Sequence, residues 1–141
     1  MFYEWKITIP STATQANPVK KTLKLKKGIL TQFSVLIPRG QHACACLTIW
    51  DGERQIVPDN SDGRIRGDSE TLPIPFFYEI ERDFYDLEAR GWAEEASEPH
   101  DLYLRISVLP KAYVMPQLAL GKLLERIFNL WSRLTGVRSP G

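Results

Sequence analysis

The chain has 141 residues, 43% of them hydrophobic and 25% charged, a mix that fits one folded core and excludes a disordered polypeptide. Eighteen basic against seventeen acidic side chains leave a formal charge of +1. So small an excess supplies no overall field for nucleic acid or an anionic membrane, so no nucleic-acid partner is expected and any basic surface is local.

The start, Met1-Phe2-Tyr3-Glu4-Trp5-Lys6, carries charges and no apolar run of signal-peptide length. No stretch approaches the about eighteen consecutive apolar residues of a membrane span. The expectation is a soluble chain made in the cytosol, which a virion component also satisfies.

Up to about residue 110 the pattern has period two. Tyr3, Trp5, Ile7 and Ile9 alternate with Glu4, Lys6 and Thr8, which predicts a half-buried strand ended by Pro10. Ser11 to Pro18 reads as a loop. Lys20 to Lys26 interleaves Leu23 and Leu25 with lysines, as suits a solvent-facing sheet or a guarded edge. Gly28 opens a strand over Ile29 to Ile37, with Ile29, Phe33, Val35 and Ile37 expected on one face. Ala43 to Trp50 is apolar on both faces and is placed centrally. Asp51-Gly52 signals a hairpin into Gln55-Ile56-Val57, and Pro58 to Asp68 is a long turn-rich loop. Strands resume at Ile74 to Glu81, Asp86 to Trp92 and Leu102 to Leu109. These strands predict an all-β antiparallel sandwich or jelly roll of about seven or eight strands.

After Pro110 the period changes. Leu120, Leu123, Leu124, Ile127, Phe128, Leu130, Trp131 and Leu134 recur at helical spacing, opposite Lys122, Glu125, Arg126, Asn129 and Arg133. An amphipathic helix is expected over about 116–135, with Pro116 in its first turn and Gly136 as its stop. The domain reading is a sandwich over 1–110, then an extended linker (Pro110 to Pro116, Met115 included) and this helix over 111–141.

Chemistry-bearing residues are few. His42, Cys44 and Cys46 would share a face of a strand, but positions 42 and 46 would lie roughly 13 Å apart, too far for one zinc ion. Buried, inert thiols are the expectation, and no metal or other cofactor is predicted. Asp59, Asn60, Ser61, Asp62 and Glu70 resemble a calcium loop loosely, yet Gly63 and Arg64 fall at the wrong positions, which leaves an Asx-rich turn. Arg66-Gly67-Asp68 is a three-residue coincidence. Glu79, Glu81, Asp83, Asp86, Glu88, Glu94, Glu95 and Glu98 mostly read as a solvated sheet face rather than a glycosidase pair. His100 sits in a turn, and no nucleophile–histidine–acid arrangement has recognisable local context, so no catalytic residue is named. Three consecutive aromatics, Phe76-Phe77-Tyr78, must present a ring to each face of their strand.

The helix stripe is the predicted interface: Leu120, Leu123, Leu124, Ile127, Phe128, Trp131 and Leu134. Packing against another subunit is favoured over folding back. Lying in a membrane interface through Lys122, Arg126, Arg133 and Arg138 comes third.

Several turn-and-strand signatures carry a resemblance: Gly28-Ile29-Leu30, Ile37-Pro38-Arg39-Gly40, Gln55-Ile56-Val57-Pro58, Pro99-His100 and Val108-Leu109-Pro110. Over about residues 20 to 110 the chain resembles small jelly-roll structural proteins of virus and bacteriophage particles, of the head-decoration or cement type. The resemblance implies a virion location and a capsid-stabilising role, with identical subunits in a trimer or larger oligomer and a major capsid protein as partners. The alternative is a module binding carbohydrate or a host surface through the Pro58–Asp68 loop and exposed aromatics.

Overall fold

The computed structural model describes residues 1–114 and 116–135, so Met115, Gly136 and Arg138 lie outside the described residues. The chain divides into two units, Met1–Val108 and Leu109–Gly141.

The described residues form eight strands: β1 (Phe2–Ile9), β2 (Val19–Leu25), β3 (Gly28–Ile37), β4 (Ala45–Asp51), β5 (Arg54–Val57), β6 (Glu70–Ile80), β7 (Tyr85–Ala93) and β8 (His100–Leu109). They make two four-stranded sheets, ordered β1-β8-β3-β6 and β2-β7-β4-β5. First pairs with last, second with seventh, third with sixth and fourth with fifth, all antiparallel. That nested order is a long hairpin wrapped into two sheets, the jelly roll. The all-β sandwich with one long helix at its C-terminal end, expected from the alternation, is the fold.

The alternation fills the core. Ile7 and Ile9 of β1, Leu23 and Leu25 of β2, and Leu102, Leu104, Ile106 and Val108 of β8 are all buried. At about 1.5–3 kcal/mol for each fully buried Ile, Leu or Phe, this shared apolar layer is the main stabilising term. β4 is buried from Ala45 through Ile49 on both faces. On its outer side Ile65 exchanges both backbone hydrogen bonds with Leu47 at 2.9 Å.

Three boundaries differ from expectation. The β3–β6 register shifts between Leu30 and Gln32. The extra residue is on β6, where Phe76 and Phe77 stand against Thr31, and across this shift it is Leu30 rather than Ile29 that joins Phe33, Val35 and Ile37 in the core cluster. β6 begins at Glu70, before the expected Ile74, because an edge strand accommodates Pro73 and Pro75 without losing ladder donors. β4 begins only at Ala45, because His42 and Ala43 take positive φ (47° and 60°) and break the extended chain.

In the second unit Lys111–Val114 forms one helical turn, α1, where an extended arm is expected. The N–H of Tyr113 closes it on the Pro110 carbonyl at 3.0 Å. α2 follows over Pro116–Thr135.

Where the sheets meet, Gly91 of β7 lies against Ile9 of β1. A Cβ added there would stand 2.8 Å from Ile9 Cδ1, and Ile9 is fully buried. Gly91→Ala is therefore expected to cost about 1–2 kcal/mol through overpacking. Ile9→Val removes the clashing Cδ1, so chemical denaturation of the double variant should show a smaller loss than the two single losses summed.

Candidate functional site

The predicted interface lies on α2. At 100° per residue, the apolar residues from Leu120 to Leu134 fall within an arc of about 160°. Lys122, Glu125, Arg126, Asn129 and Arg133 occupy the rest of the circumference. These apolar side chains are about half exposed or more: Leu120 55%, Leu123 52%, Leu124 57%, Ile127 55%, Phe128 48%, Leu130 59%, Trp131 56% and Leu134 79%. Among the described residues no helix is long and apolar enough to cross a membrane.

The His42–Cys44–Cys46 set does not share a strand face. His42 is largely exposed, its Nδ1 lies 3.6 Å from Asp68 Oδ2, and Cys44 is half-buried in the turn before β4. Only Cys46 is the buried thiol expected. Burial, then the neighbouring Glu94 carboxylate, pushes it up to about 11. Glu94 itself is held by Arg64 at 2.9 Å and Arg66 at 3.6 Å. Among the described residues no group of three His, Cys, Asp or Glu side chains is placed to hold a metal ion.

The acidic loop is tied from within. Gln55 of β5 is buried, and its Nε2 donates to the carbonyls of Pro58 (2.8 Å), Asn60 (3.1 Å) and Gly63 (3.1 Å). These three bonds tie the loop backbone to one buried side-chain amide. Asn60 Nδ2 donates to Asp62 Oδ1, and Gly63 N–H to the Asn60 carbonyl, which makes the Asx-rich turn.

Arg66-Gly67-Asp68 is engaged in the same way. Asp68 Oδ1 accepts from the backbone N–H groups of Gly40 and Gln41, both at 2.9 Å. These donors, Gln41 foremost, hold its carboxyl below the usual carboxylate range. What the carboxylate adds to the turn is present above that range and is lost as pH falls through the lowered value.

Two features were illegible beforehand. Asp51, at the end of β4, accepts from the hydroxyls of Tyr85 (2.8 and 2.9 Å) and Tyr78, and Tyr78 belongs to the other sheet. Burial pushes the Tyr78 hydroxyl upward, followed by its bond to Asp51, so it stays protonated as a donor. The second is a cleft of about 330 Å³ lined by Trp50, Lys20, Arg64, Arg90, Gln55 and loop residues Ser61 to Gly63. Arg90 lies over the Trp50 ring at 4.1 Å and bonds Glu88 at 2.6 Å. Trp50 Nε1 is spent on Thr48 Oγ1 at 2.9 Å. The cleft thus offers a partly covered aromatic ring and cations already paired with acids, with Lys20 exposed at its rim.

Together these define an all-β jelly-roll sandwich followed by a C-terminal helix with exposed apolar side chains. No family model matches the chain, and no curated protein matches it. Among solved structures it is similar to a protein of Bacillus endospore appendages, a family of disulfide-linked pili, at 13% identity over 79% of this chain and 88% of that chain, TM-score 0.36. It is also similar to a chain of infectious bursal disease virus, Gx strain, at 12% identity over 74% of this chain, TM-score 0.31. The match spans 32% of that viral chain.

The two thiols differ enough to be told apart. In native protein at pH 8 a thiol reagent is expected to label Cys44 and spare Cys46, and to label both in denaturant. Equal native rates, read by peptide mass spectrometry, would show that Cys46 is not sealed.

Proposed function

We propose that the protein is a non-enzymatic structural component that assembles with identical subunits, as a capsid-stabilising or decoration protein of a virion. A trimer or larger oligomer is the expected state, with a major capsid protein as further partner. The exposed stripe of α2 carries this reading. An exposed run of leucines with Ile127 and Phe128 is an interaction surface rather than a solvated face. Covering it against like stripes recovers about 25 cal/mol per Å² of apolar area removed from water. The particle setting draws on the turn-and-strand resemblance in the sequence.

The test is a double substitution. Ile127→Asp with Trp131→Asp puts two carboxylates into the apolar arc of α2 and should lower the assembled mass in sedimentation velocity. Circular dichroism should show the sandwich still folded, since it has its own core. Undiminished mass would remove the stripe from the interface. Loss of the β signal would mean that the stripe covers the sandwich of its own chain.

The cleft favours a second reading, a module that binds carbohydrate beside the Pro58–Asp68 loop. Its volume and its Trp50 ring suit a sugar of one or two units. On that reading the purified chain is a monomer with saturable signal on a glycan array, and Trp50→Ala abolishes the signal. An assembled chain that binds no glycan rejects it.

A further inference from the structure

A jelly roll of two open sheets has four edges, and an edge strand either is guarded or pairs with another chain. Here the edges are β1, β6, β2 and β5. Three are guarded. Pro73 and Pro75 remove two donors from β6. Lys20, Lys21 and Lys24 would bring like charges together along a paired β2. β5 is four residues long. β1 is eight residues long and contains no proline.

The phase of the β1 ladder shows what its free side offers. Met1 and Val108 exchange both backbone bonds, at 2.5 and 2.8 Å. In an antiparallel ladder such pairs recur at every second residue. Tyr3, Trp5, Ile7 and Ile9 therefore bond to β8, and Phe2, Glu4, Lys6 and Thr8 point their N–H and C=O groups outward. The side chains of these four are exposed.

We infer that β1 pairs antiparallel with β1 of a second copy about a two-fold axis at Trp5, joining two four-stranded sheets into one of eight strands. The inference rests on the assembly reading above and names one of its interfaces. Only outward-pointing residues can face each other as hydrogen-bonded pairs, so even positions meet even positions. Centring the axis at Glu4 would oppose two Glu4 carboxylates, and centring it at Lys6 would oppose two ammoniums. Centring it at Trp5 sets Phe2 opposite Thr8, and Glu4 opposite Lys6 twice over. That register also engages all four outward residues of each strand. Charge and ladder phase select the same alignment: Glu4 and Lys6 each hold a partner on β8 of their own sheet, Arg105 at 2.8 Å and Asp101 at 3.5 Å, and in this register each also meets its opposite charge across the two-fold axis.

Proline at position 6 separates this pairing from folding, because the Lys6 N–H points outward and serves no bond to β8. In the full-length chain carrying Ile127→Asp and Trp131→Asp, the remaining species is expected to be a dimer. Adding Lys6→Pro should weaken that dimer about 10- to 100-fold in Kd, since the two-fold axis counts each lost donor twice. Circular dichroism should be unchanged, whereas Ile7→Pro, which removes a donor to β8, should unfold the sheet. Should Lys6→Pro itself not fold, the charge variants give the same answer. In the same helix-variant background, Glu4→Lys alone and Lys6→Glu alone should each be monomeric, and an equimolar mixture of the two should form a heterodimer. If the helix variant is already a monomer while the unaltered chain is assembled, β1 pairing is overturned and the assembly reading stands. An unchanged dimer Kd in Lys6→Pro, or a persistent dimer in both charge variants, overturns it as well. A monomeric unaltered chain overturns both.

Discussion

The sandwich depends on the union of its first and last strands. β1 pairs with β8 along its whole length, from Phe2 opposite Ser107 to Ile9 opposite His100. About a hundred residues intervene, but closure entropy grows only logarithmically with loop length, so the cost is modest beside the burial it secures. Six inward side chains from these two strands, Ile7, Ile9, Leu102, Leu104, Ile106 and Val108, are sealed by that pairing. Outside, Glu4 bonds Arg105 at 2.8 Å and Thr8 bonds Asp101 at 2.7 Å, which holds the same register from the solvent side. With the ends joined, the nested pairs follow: β2 finds β7, β3 finds β6, and β4 turns back on β5 through Gly52 at φ +61°. The same union puts β1 at the border of its sheet, with one row of backbone groups turned outward.

Polar side chains that look chemical are consumed by the loops. Asp51 receives two tyrosine hydroxyls, Gln55 serves three carbonyls, and Asp68 takes two backbone N–H groups. Each sits where the chain leaves regular structure and its backbone loses ladder partners. A half-buried carboxylate that accepts several donors is a firm anchor, because charge-assisted bonds are about twice as strong as neutral ones. The acidic and Arg-Gly-Asp segments are thus shaped by internal accounting of donors and acceptors.

The strands were legible because alternation is a physical requirement: a side chain must face either the core or water. Their sheet order was not. No local signal tells Tyr3 that its strand lies beside Ile106, or places Tyr78 within reach of an aspartate 27 residues away. The register shift between β3 and β6 was hidden because Ile29 and Leu30 are equally apolar, so either fits the core by composition. Pro73 and Pro75 concealed the start of β6, since proline argues against a strand unless the strand is known to be an edge. His42 and Ala43 carry no glycine to announce a positive φ, and with them the exposure of Cys44 was missed. The stripe on α2 was readable residue by residue because helical spacing alone generates it.

The two surfaces differ in what they specify. The stripe on α2 is uniformly apolar, with its charges confined to the opposite arc, so a partner sliding by one turn would meet an equivalent surface. Such a face supplies association energy and little register. An edge strand is the converse: its backbone bonds are individually worth about 0.5–1.5 kcal/mol net, but their phase permits alignment only in steps of two residues. Glu4 and Lys6 then separate the permitted steps by charge. A structural protein that must build one geometry needs both kinds of contact. On the proposed reading, the helix makes assembly favourable and β1 makes it singular.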